Sequence, residues 1–79
     1  MHPDAIAVVD LCATARLYLY AEQLHAAWRE AREESACAYR QWCAAPRGER
    51  RLAHAAFLAA ADREAAAERG FLAAIEREQ

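Results

Sequence analysis

The chain has no lysine, only two glycines and two prolines, and five β-branched residues among 79. Few β-branched residues, none alternating with polar ones over a useful length, leave no strand to build a sheet from. Without lysine there is no Schiff-base chemistry. Two isolated glycines supply neither a phosphate-cradling loop nor a nucleophile elbow, and no His-Glu-x-x-His run is present. These absences point away from an enzyme and imply no cofactor.

Positive charge is also short. A net charge of −2 and a pI near 5.9 provide no global field for releasing counterions from nucleic acid. All ten basic residues are arginine. The three cysteines, Cys12, Cys37 and Cys43, leave an odd thiol in any pairing and show no Cys-x-x-Cys spacing. That usage fits a reduced, cytoplasmic protein. Long apolar runs are missing too: Ala5 to Ala21 is interrupted by Asp10 and Arg16, so it is neither a bilayer span nor, without a basic leading segment, a signal peptide.

What is present is alanine, which supplies most of the 57% hydrophobic share and is the strongest helix former. One punctuation, Pro46-Arg47-Gly48, splits the chain. The expected fold is therefore all-α, a single domain over residues 1–79: an antiparallel two-helix hairpin with helix 1 at about 4–45, a turn at 46–48 and helix 2 at about 49–77. Pro3-Asp4 suits a first helical turn, where proline lacks only a donor that would be unpaired anyway and the carboxylate meets the positive end of the helix dipole. Gly70 could cap a helix, but Phe71 and Ile75 carry the register across it, so helix 2 is read as continuous.

Both arms carry coiled-coil seams. On helix 1 the four-and-three alternation reads Leu17, Ala21, Leu24, Trp28, Ala31, Ser35, Ala38, Trp42 and Ala45. On helix 2 it reads Arg50, His54, Phe57, Ala61, Glu64, Glu68, Phe71 and Ile75, widened by Ala53, Ala60, Ala65 and Leu72. Folding at the turn pairs Trp42 with the region of Arg50, Ser35 with Phe57, Trp28 with Glu64, and Leu17 with Ile75.

The arms are unequal. At 1.5 Å per residue helix 1 runs roughly 60 Å and helix 2 roughly 45 Å, so residues before about position 14 find no partner in their own chain. That overhang is apolar on two sides, through Ile6, Val9 and Ala13 and through Val8, Leu11, Cys12, Ala15 and Leu19. A helix apolar on two faces belongs in an assembly. The expected closure is a two-fold homodimer, a four-helix bundle whose interface includes Ile6, Val8, Val9, Leu11, Tyr18, Leu24 and Trp28. A heterologous protein could take the second copy's place. The corresponding function is a noncatalytic interaction module such as an adaptor, regulatory subunit or small chaperone.

Two other readings attach to polar residues. Glu64 and Glu68 fall one turn apart on the apolar side of helix 2, with His54 further up, and the fold-back register places His25 and Arg29 near them as charge partners. Glu22-x-x-His25 resembles the Glu-x-x-His spacing on the helices of ferritin-like carboxylate proteins. The resemblance spans four residues and implies a metal site formed by Glu22, His25, Glu64 and Glu68 only across a dimer interface. Arg47, Arg50 and Arg51 cluster at the turn, where a solvated hairpin end or an anion or nucleic-acid contact would use them. Trp28 and Trp42 lie on the seam and read as core filling, whereas Tyr18 lies off it and reads as an intersubunit contact.

Overall fold

A computed structural model describes the backbone of residues 3–78 and the side chains of residues 12–77. Helix α1 spans Pro3–Ala44, a 3-10 turn covers Arg47–Glu49, and helix α2 spans Arg50–Glu78. The two helices pack against each other as a hairpin. The molecule is a rod of 71 × 14 × 13 Å with a radius of gyration of 19.5 Å. A compact chain of this length has a radius near 12 Å.

Proline chemistry sets the end of α1. Pro46 has no N–H to offer the helix, and its ring disfavours the helical conformation at Ala45. The last turn tightens instead, with the Ala45 N–H donating to the Trp42 carbonyl at 3.3 Å. Pro46 is extended, at φ −60° and ψ 155°, and its carbonyl accepts from the Glu49 N–H at 2.8 Å to close the 3-10 turn. The chain therefore reverses around Gly48-Glu49, two to three residues later than an immediate fold-back at Pro46 would place it.

That displacement changes the register. Trp42 packs on His54 and Phe57, one to two turns beyond Arg50, which still borders it, and Trp28 meets Phe71, not Glu64. The expected Leu17–Ile75 pairing is lost as well. Every described residue from Cys12 to Tyr20 is exposed, and the first buried one is Ala21. The overhang is thus longer than arm lengths alone suggest, by nearly two turns.

The helix 1 seam is otherwise as the spacing predicts. Ala21, Ala31 and Ser35 are buried, and Leu24, Trp28, Ala38, Trp42 and Ala45 are half-buried, with His25 added beside them. The helix 2 seam is broader than one heptad line. Of the expected positions, His54, Phe57, Ala61, Glu64, Phe71 and Ile75, with Ala53, Ala60 and Ala65 of the widening, are withdrawn from water and Ala67, Gly70 and Ala74 join them, while Arg50, Glu68 and Leu72 are exposed. The most enclosed of these are the small residues Ala60 and Ala74, where backbones can approach, and the exposed guanidinium and carboxylate avoid the cost of burial. No side chain is left as a buried, unpaired polar group among the described residues.

Gly70 lies inside α2, as a continuous helix requires. Its φ is not positive, and a Cβ there would meet nothing within 4 Å. Nothing in the fold uses the glycine's freedom, so its flexibility only raises the entropy of the unfolded chain. Gly70→Ala should stabilise by about 1 kcal/mol, raising the melting temperature by roughly 4–8 °C in a thermal circular-dichroism scan.

Candidate interaction face and aromatic cleft

The seam has a ring cluster at each end with small residues between. Near the turn, Trp42 contacts His54 at a ring-centroid distance of 4.4 Å and stacks on Phe57 at 5.6 Å, while Tyr39 meets Phe57 edge-on at 5.6 Å. Where α2 ends, Trp28 stacks on Phe71 at 5.7 Å and His25 contacts Phe71 at 4.8 Å. The Arg32 guanidinium caps this second cluster, 5.4 Å from the centre of the Trp28 ring. Between the clusters Ala31, Ser35 and Ala60 are buried and Ala38 is half-buried. No described side chain of any size is completely enclosed.

The two flanks of the seam differ. In an antiparallel pair of helices the same flanking position on each helix faces its counterpart, so one flank carries Tyr18, His25, Arg32 and Tyr39 from α1. These residues are seven apart, about two turns of helix. The matching flank of α2 carries His54, Ala61, the exposed Glu68 and Ile75, and just outside them Arg51, Leu58, Ala65 and Leu72 at the same spacing. Leu58 and Leu72 are 49% and 47% exposed. Seven-residue spacing of Leu58, Ala65 and Leu72 was the sequence signal for this stripe, hidden by the many alanines around it. The opposite flank is small and charged: Glu34 and Arg63 approach across it at 4.0 Å, the one ion pair among the described residues. Both side chains are largely exposed, so the pair contributes little.

Of the residues expected at an interface, Ile6, Val8, Val9 and Leu11 lie outside the described side chains. Tyr18 is 63% exposed, and with Leu17, Leu19 and Tyr20 it leaves a run of four large apolar or aromatic residues open to water. Leu24 and Trp28 are half-buried within their own hairpin.

The carboxylates fall elsewhere than the fold-back register implied. Glu64 is half-buried, Glu68 is exposed, and His25 packs on Phe71 in place of meeting either. No three histidine, cysteine, aspartate or glutamate side chains among the described residues converge as a metal site would require. Glu22 and His25 instead share a shallow cleft of about 240 Å³ with Tyr18, Ala21 and Phe71. Arg47, Arg50 and Arg51 are exposed at the hairpin's closed end, where Arg50 rims a hollow with Tyr39, Trp42 and Cys43. No described helix is long and apolar enough to cross a membrane.

One exposed pair carries a titration signature. Tyr39 and Cys43 are a turn apart, and the phenol donates a hydrogen bond to the sulfur. That bond, and the charge of the Cys43 thiolate once formed, hold the Tyr39 pKa above its ordinary value of 10. In protein carrying 13C at the tyrosine Cζ, the Tyr39 resonance should titrate later than pH 10, and Cys43→Ala should bring its midpoint back down.

All three cysteines are free and exposed. Neither a protein family, nor a curated protein, nor a solved structure matches the chain.

Proposed function

We propose that this chain is a noncatalytic interaction module that works as a homodimer. Two hairpins pack through the flank bearing Tyr18, Tyr39, Leu58 and Leu72 and through their overhanging α1 segments, completing a four-helix bundle. One quantity carries the reading. The hairpin exposes 6438 Å² of surface, whereas a folded monomer of 8.8 kDa exposes about 4,800 Å². The excess is about 1,600 Å² per chain, and burying it in a pair of chains would give an interface of roughly 3,200 Å², within the range of obligate homodimers.

A second copy fits better than an unrelated partner because the exposed stripes repeat the seven-residue spacing of the hairpin's own seam. The surface that needs covering is therefore built to receive the kind of helix this chain already has. The fully buried set, Ala21, Ala31, Ser35, Ala60 and Ala74, is also small for a 79-residue rod, so a second copy is expected to add stability. Sedimentation equilibrium over a dilution series tests the proposal. Twice the chain mass at micromolar concentration, with a melting temperature that falls on dilution, is expected. A monodisperse monomer at high micromolar concentration would sink it.

A further inference from the structure

The cleft at the end of α2 forms where the Tyr18–His25 end of the α1 flank meets Phe71. Its lining combines two aromatic rings, Tyr18 and Phe71, the imidazole of His25, the methyl of Ala21 and a single carboxylate, Glu22. No arginine lines it. Tyr18, Glu22 and His25 follow one another at four- and three-residue spacing, so one strip of α1 presents phenol, carboxylate and imidazole, and Phe71 closes the side opposite. No other described residue forms an ion pair with Glu22.

We propose that this cleft binds a small organic cation, an alkylammonium head group held against the faces of Tyr18 and Phe71 with Glu22 as its counter-ion. Aromatic faces carry negative potential and attract a cation within about 6 Å of the ring centre, most strongly when the cation is a weakly hydrated organic one. A nearby carboxylate adds a full opposite charge at the open side. The molecule already uses this chemistry next door: Phe71 stacks on Trp28, and the Arg32 guanidinium lies 5.4 Å from the centre of the Trp28 ring. The cluster thus already holds one cation, and the cleft that shares Phe71 with it offers Tyr18 and a carboxylate to a second. At about 240 Å³ the space falls below the roughly 300–1,000 Å³ of drug-sized sites, which suits a trimethylammonium-sized head and not a larger ring system.

Tyr18 and His25 also lie on the flank proposed for the dimer, so a second copy and the cation compete for this cleft, and dilution separates the two readings. Tetramethylammonium titrated into the full chain should show its methyl proton resonance moving upfield as the ring currents of Tyr18 and Phe71 act on it, saturating with added protein. Binding is expected to strengthen as the chain is diluted from dimer to monomer. Neopentyl alcohol, an uncharged molecule of similar shape, should bind at least about tenfold more weakly, since it lacks the ring–cation and carboxylate terms. At concentrations where the chain is monomeric, Glu22→Gln and Tyr18→Ala, both at positions exposed in the hairpin, should each weaken binding by about threefold to tenfold. Circular dichroism of the two variants should be unchanged. No saturable shift, equal binding of the neutral alcohol, or full binding by both variants would overturn the proposal.

Discussion

A chain carrying both Leu58→Glu and Leu72→Glu is expected to sediment as a monomer at concentrations where the unaltered chain is a dimer. Both leucines stand about half exposed on the flank of α2 that faces away from α1, seven-residue neighbours either side of Ala65. In the isolated hairpin a glutamate at either position remains in water and leaves the seam untouched. In the proposed bundle each would be buried without a partner, at a cost of several kcal/mol per charge. The dissociation constant should therefore rise by at least about a hundredfold. Because the hairpin's own core is slight, thermal stability should fall with it. Leu52→Glu is the matched control. Leu52 is 76% exposed and lies on the opposite flank, lining a groove with Gln41, Pro46 and Ala56. It should change neither mass nor melting temperature appreciably, and equal dissociation by both changes would place the interface elsewhere.

Ala60→Leu is expected to destabilise the hairpin although it adds apolar surface. Ala60 is 2% exposed, the most enclosed of the buried residues, at the middle of the seam where Ala31 and Ser35 are also buried. Three additional carbon atoms there must either push the helices apart or force their way off rotamer, costing about 1–3 kcal/mol. Separation would also open the ring stacks of Trp42 on Phe57 and Trp28 on Phe71, since both span the same interface. Ala59→Leu, one position away on the exposed surface, has nothing to displace, and leucine is nearly as good a helix former as alanine. The two variants differ in sequence by a single step and should differ in melting temperature by roughly 4–8 °C for each kcal/mol. Equal melting temperatures would mean that the helices do not approach closely at Ala60.

The contrast between those two alanines shows where reading the sequence stops. Helix 1 has one dominant stripe, marked by Trp28, Trp42 and Leu24 among charged neighbours, so its buried face can be picked out from spacing alone. Helix 2 has alanine on nearly every side. Arg50, His54, Phe57, Ala61, Glu64, Glu68, Phe71 and Ile75 form one heptad series, and Ala53, Phe57, Ala60, Glu64, Ala67, Phe71 and Ala74 form another that shares its large residues. Periodicity cannot weigh them, because Phe57 and Phe71 belong to both, and the structure withdraws members of each from water. The cleft was legible only in fragments: Glu22 and His25 stood out for their spacing and Tyr18 for lying off the seam. Nothing local joined them to Phe71, 46 positions beyond His25 in the chain.

Composition and local chemistry determined the elements by themselves. Alanine content makes both arms helical, Pro46 ends the first, and the missing β-branched alternation rules out a sheet, each through interactions within a few residues. Register, the breadth of the helix 2 seam and the true length of the overhang were decided by the tertiary structure. They depend on how many residues the chain spends in reversing direction and on which alanines let two backbones meet while Arg50 and Glu68 stay in water. Those are comparisons between whole alternative packings, and no single stretch of the sequence contains them.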